Sequence, residues 1–273
     1  MKHKSFVVPH DFTSVADVAL NHAIETAKNQ KTTIHILHVV NDEKEISSAT
    51  DKIDEIISAN VSDGITITNN IRIGNIFNSI SEFAAEHQAE LIFMGTHGAQ
   101  GWQNITGSYA LRVVTSSQVP FVIVQDKPVR PGGYKSIVVP LDLHIQTRQK
   151  LSTVAKLALY FDSKVHIVLP DETNPELRAQ LEDHKTVCEI YLKERKIQMD
   201  STVLSNKDFE KEVVKYASLI NADLISIMNL NRNNIFGVFN AKYEQYIITN
   251  DALIPTLILN PIEVQEIYGH WFD

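Results

Sequence analysis

The chain has 273 residues, with 33 acidic against 25 basic side chains and a net charge of −8. Hydrophobic residues make up 44% and charged residues 21%, which excludes a disordered or collagen-like chain, and the length suits about two domains. The acidic excess argues against non-specific nucleic-acid binding, which needs clustered Lys and Arg. No apolar run reaches the roughly 18 residues that span a bilayer. Residues 1–12 hold two lysines but no apolar signal region, and the lone Cys188 cannot close an internal disulfide, so a cytoplasmic location is expected.

From the N-terminus, apolar runs rich in Val and Ile predict strands at Phe6–Pro9, Thr33–Val40, Ile65–Ile71, Leu91–Met94 and Phe121–Val124. Helical periodicity falls between them at Asp17–Asn29, Lys44–Ser58, Ile76–His87 and Ser108–Ser116. Residues 126–133 hold two prolines and two glycines and predict a linker. Strands follow at Ile137–Pro140, Lys164–Leu169, Met199–Leu204, Leu224–Met228 and Thr256–Leu259, with helices near 147–161, 175–195, 208–220 and 240–250. The long charged helix after Glu172 is expected to turn Leu177, Leu181, Val187, Ile190 and Tyr191 inward.

The chain repeats itself. Ser5–Asp11 matches Ser136–Asp142, Ala89–Met94 matches Ala222–Ile227, and Val119–Val124 matches Ile254–Leu259, at offsets of 131 to 135 residues. This predicts two tandem Rossmann-like, doubly wound α/β domains, each a five-stranded parallel sheet flanked by helices. The expected boundaries are 1–127 and 134–262, with an aromatic tail at 263–273 able to dock on the seam between domains or on a second chain. The apolar edges Phe121–Val124 and Thr256–Leu259 need cover, which pairing within the chain supplies.

Ligands of such sheets sit beyond the carboxyl ends of the strands. Pro9-His10-Asp11 and Met94-Gly95-Thr96-His97-Gly98 fall there, followed by Gly107-Ser108 at a helix start. Four of the ten glycines lie between 95 and 107, where free backbone N–H groups and a helix N-terminus favour phosphate. A plain loop with a Gly-Ser helix start is the alternative, as is a helix-entry cap for Asp11 and a backbone-bonded loop residue for His97. Neither a Walker A loop nor a GxGxxG after the first strand is present. The eleven histidines are scattered and give no metal-ligand spacing; His35 and His38 point to opposite faces of a strand.

Val8-Pro9-His10-Asp11-Phe12-Thr13-Ser14, Leu37-His38-Val39-Val40, Gly74, Met94-Gly95-Thr96-His97-Gly98, Gly107-Ser108 and Val119–Val124 together resemble the universal stress protein family in its tandem form. The glycine loop reads Gly95-x2-Gly98-x8-Gly107-Ser108, one residue shorter than the G-x2-G-x9-G-[S/T] of ATP-binding members. The resemblance implies an ATP or related adenine-nucleotide site, with or without Mg²⁺, made by Asp11, Val39, Met94, Gly95, His97, Gly98, Gly107 and Ser108. Asp11 and Val39 would face ribose and adenine, and the others the phosphates. It implies a stress-response regulator working through nucleotide-linked conformation or partner binding; the sequence offers no general base or Mg²⁺ carboxylate pair beyond Asp11, so at most slow ATP hydrolysis or self-phosphorylation is expected, with Ser108 the candidate acceptor. A scaffold that binds no nucleotide, or a tandem-domain protein that binds another small ligand, is the alternative. In the second half the glycines fall to Met228, Asn231 and Asn240 or Ala241, which predicts a silent loop; assembly into a homodimer stays open.

Overall fold

A computed structural model describes residues 4–28, 32–60, 64–96, 107–230 and 242–262, with only the backbone for 107–109. His97, Gly98 and the aromatic tail therefore lie outside the described residues, as does the second half's loop at 231–241.

The strands are β1 (Lys4–Pro9), β2 (Thr32–Val40), β3 (Thr66–Ile73), β4 (Leu91–Gly95), β5 (Phe121–Val124), β6 (Ser136–Pro140), β7 (Lys164–Pro170), β8 (Gln198–Leu204), β9 (Leu224–Met228) and β10 (Thr256–Leu259). The helices are α1 (Ser14–Ala27), α2 (Ile46–Ala59), α3 (Ile76–Glu86), α4 (Gly107–Thr115), α5 (Leu151–Phe161), α6 (Pro175–Glu194), α7 (Phe209–Leu219) and α8 (Lys242–Ile248). The strands form one sheet in the order β3-β2-β1-β4-β5-β10-β9-β6-β7-β8. Each half is parallel, and the halves join where β5 and β10 pair antiparallel, with Leu257 opposite Val122. The strand order of the first half thus recurs in the second as β8-β7-β6-β9-β10, reversed across the seam.

Alternate residues of each strand feed two apolar layers, because successive side chains point to opposite faces. Phe6, Val8, Ile34, Ile36 and Phe93 belong to one layer, and Val7, Leu37, Ile92 and Met94 to the other. Both layers continue through the second half, with Ile137 and Val139 in the first and Val138 and Ile225 in the other. Burial on both faces explains why these strands read as unbroken Val and Ile runs.

Helix starts follow capping chemistry. Thr13 Oγ1 accepts the Ala16 N–H, Asn75 Oδ1 the Phe77 N–H, and Asn174 Oδ1 the Glu176 and Leu177 N–H groups, with Pro175 in the first turn of α6. On α6 the expected inward face is corrected. Leu181, His184, Cys188 and Leu192 are buried, whereas Leu177, Val187 and Ile190 are exposed. The buried stripe runs at i, i+3, i+7 and i+11, and it includes a histidine because His184 Nδ1–H donates to the Asp142 carbonyl at 3.0 Å.

Candidate functional site

The order β2-β1-β4 places a switch point between β1 and β4, where crossovers leave a crevice at the strands' carboxyl ends. A partly open cleft lies there, lined by Pro9, His10, Asp11, Ala16, Leu37, His38, Val39, Ile76, Met94 and Gly95. Of the residues expected to bind nucleotide, Asp11, Val39, Met94 and Gly95 line this cleft. Gly107 opens α4, and the side chain of Ser108 lies outside the described atoms.

The turn after β1 is built around two aspartates and two histidines. Asp11 Oδ1 accepts both the Thr13 N–H at 3.2 Å and the Thr13 O–H at 2.6 Å. Asp11 therefore does not cap α1 itself; it holds Thr13, which does. His38 Nδ1–H donates to the His10 carbonyl at 2.6 Å. His10 is 3% exposed, and its ring nitrogens have distinct partners: Nδ1 accepts the Phe12 N–H at 3.1 Å, so Nε2–H donates to Asp17 Oδ1 at 3.2 Å. Burial lowers the His10 pKa below the usual histidine range, against the attraction of Asp17. Phe12 sits at φ 65, a left-handed conformation that costs a bulky residue about 1–2 kcal/mol. Its ring packs 4.3 Å from that of His38, with the Lys52 ammonium 5.0 Å from the Phe12 ring centroid.

Gly95 has a reason of its own. A Cβ there would stand 2.6 Å from the Val15 carbonyl oxygen and 2.6 Å from Val15 Cγ1. The end of β4 thus packs directly on the first turn of α1, and only glycine fits.

Ala16, Leu37 and Ile76 also line the cleft. Ile76 opens α3, far from the others in sequence, and no local pattern marks it. His10 stands beside Asp11 at the ligand edge, but nothing in the sequence shows that its ring is buried and bonded to Phe12 and Asp17. Among the described residues, no group of three or more His, Cys, Asp or Glu side chains could hold a metal ion.

The matching place in the second half is differently furnished. Leu141 and Leu143 replace His10 and Phe12. Lys150, 2% exposed, donates to the Pro140 carbonyl at 2.5 Å and to Thr147 Oγ1 at 2.9 Å, and burial lowers its pKa to about 8. Glu244, 2% exposed, accepts the Leu230 N–H at 3.3 Å. Asn229, just after β9, turns to the seam and donates to Thr115 Oγ1 at 3.2 Å and Asn260 Oδ1 at 2.8 Å.

Two parallel half-sheets of the same strand order, with a cleft at the first one's switch point, define a duplicated Rossmann-like α/β protein. Residues 2–125 match the model of the universal stress protein family. A universal stress protein of Methanocaldococcus jannaschii is 29% identical over 140 residues, covering 45% of this chain and 82% of that one. The crystal structure of a universal stress protein from Archaeoglobus fulgidus superposes with a TM-score of 0.71 at 14% identity, covering 94% of this chain and 96% of that one. A Pseudomonas aeruginosa protein of the same description gives 0.63 at 14% identity, covering 98% and 96%. The N-terminal half of this chain belongs to the universal stress protein family, and the chain as a whole has the fold of its tandem form.

Proposed function

We propose that the first half binds ATP or a related adenine nucleotide, with or without Mg²⁺, and that the chain is a cytoplasmic stress-response regulator acting through nucleotide-linked conformation or partner binding. In this reading residues 1–127 and 134–262 are its two domains, and 263–273 a tail.

The observation that carries it is the cleft over β1 and β4, with an aspartate at its mouth and apolar walls behind. Leu37, Val39, Ile76 and Met94 offer an adenine ring an apolar bed. Asp11 directs one oxygen to Thr13, and its second oxygen suits a ribose hydroxyl. The crossover from β4 to β5 puts the N-terminus of α4 on the same side of the sheet, where its free N–H groups favour phosphate. His97, Gly98, Gly107 and Ser108 would complete the phosphate end. The family resemblance supports the same assignment. Residues 1–127 carry 9 basic and 14 acidic side chains, a net of −5, so backbone donors rather than a basic field would hold the phosphates.

Calorimetric titration with ATP, ADP and AMP tests the reading. Binding by the wild type is expected, with Asp11→Asn weakened about tenfold, the worth of a charge-assisted hydrogen bond, and Gly98→Val abolished. Absence of heat with all three nucleotides would leave the non-nucleotide scaffold.

A further inference from the structure

We infer that His10 is the positioning residue of the cleft's mouth: only its neutral imidazole holds Phe12 and, through it, Asp11 in place, so ligand binding in the first half is gated by a single proton.

Three observations converge on this. First, the Phe12 N–H donates to His10 Nδ1 at 3.1 Å, so the nitrogen must carry a lone pair. A protonated ring has N–H groups on both sides and would set donor against donor. Second, the ring that this hydrogen bond closes runs through the Asp11 backbone, and the next rotation along the chain is the left-handed φ of 65 at Phe12, which leads into Thr13. Loss of the bond would free the Asp11 backbone, pull apart the Asp11–Thr13 contacts of 3.2 and 2.6 Å and move the Asp11 carboxylate. Third, the second half serves as an internal comparison. There Leu141 stands for His10 and Leu143 for Phe12, and Leu143 is not among the described residues with positive φ. The histidine and the left-handed residue occur together, in the turn that lines the cleft described above.

The groups that face His10 decide the sign. Asp17 of α1 and Asp11 of the turn favour the proton, His38 of β2 opposes it, and burial opposes it most strongly. Lys52 of α2 faces the Phe12 ring rather than the imidazole. The latch is therefore closed at neutral pH and opens as pH falls below the ordinary histidine range. Asp17 is 55% exposed at its side chain and can be altered without disturbing the core.

The ligand part of this inference rests on the nucleotide reading; the latch does not. The test follows the ¹⁵N and ¹H resonances of the His10 ring and the Phe12 amide by NMR across pH 7.5 to 5, beside ATP titrations at both ends. The Phe12 amide is expected to shift with the same midpoint as the His10 ring, and ATP affinity to fall about tenfold as the latched population falls tenfold. His10→Gln, whose amide can accept from Phe12 and donate to Asp17, is expected to bind as the wild type does at pH 7.5. It should lose the excess acid sensitivity; the titration of ATP itself is common to both proteins and cancels in the ratio. Asp17→Asn is expected to move the wild-type midpoint to lower pH, and it carries the test should His10→Gln not fold. A Phe12 amide indifferent to the His10 titration, or equal pH profiles for the wild type and a folded His10→Gln, would overturn the inference. A Phe12 amide that follows His10 in a protein that binds no ATP would uphold the latch and remove the nucleotide.

Discussion

At the scale of single residues, Gly95 shows that packing alone can require a glycine at the end of a strand. The glycine-rich pattern suggests a backbone approach to phosphate, yet the nearest atoms to a Cβ at this position belong to Val15. The strand end and the helix start are in direct contact, and a methyl group at 2.6 Å from a carbonyl oxygen has no room to yield. Gly95→Ala is expected to lower unfolding free energy by about 2–3 kcal/mol in urea denaturation, with or without nucleotide. An unchanged midpoint would show that β4 and α1 can part cheaply. Asp11 was legible as a candidate site residue because it follows β1 at the carboxyl edge of the sheet. Its hold on Thr13 was not, since local spacing allows either residue to cap the helix.

At the scale of elements, α1 is tied to the linker by one buried histidine. His22 Nε2–H donates to the Lys127 carbonyl at 3.1 Å, and Nδ1 accepts the Tyr134 O–H at 2.8 Å. Burial pushes its pKa down to about 4. The folded state therefore prefers the neutral ring, while the unfolded chain protonates near 6.5. The stability this residue contributes is complete above pH 6.5 and is lost as pH falls towards 4, to a total of roughly 3 kcal/mol. Calorimetric melting of the wild type should show a steeper fall in Tm over that window than His22→Gln. Equal slopes would mean that the linker opens before His22 titrates. The order of strands and helices was legible throughout, since buried parallel strands and amphipathic helices have distinct periods. The inward face of α6 was not. Its most apolar residues, Val187 and Ile190, are exposed, and the buried stripe is set by where α6 meets its neighbours.

At the scale of the whole molecule, the two halves lock each other with matching side chains. Gln125 and Asn260 follow the last strands of their halves. Gln125 Nε2–H donates to the Asn250 carbonyl at 3.0 Å, and Asn260 Nδ2–H₂ donates to the Val114 and Ser117 carbonyls, each at 2.6 Å. The seam thus caps the end of α4, the helix whose other end belongs to the candidate phosphate site. Asn260→Ala leaves both carbonyls without this donor and is expected to cost about 2 kcal/mol in urea denaturation. Loss of a few tenths only would mean that water replaces the side chain.

The amino-acid sequence by itself determined the duplication, the alternation of strand and helix and the unequal glycine content of the halves. These depend on residue type and spacing along the chain, which periodicity and glycine content report directly. Tertiary structure alone decided that Gly95 is required by Val15, that His10 accepts the Phe12 N–H, and that Lys150 fills the second half's turn. Each of these is a contact whose meaning depends on burial, and burial is set only when distant elements close over the same few atoms.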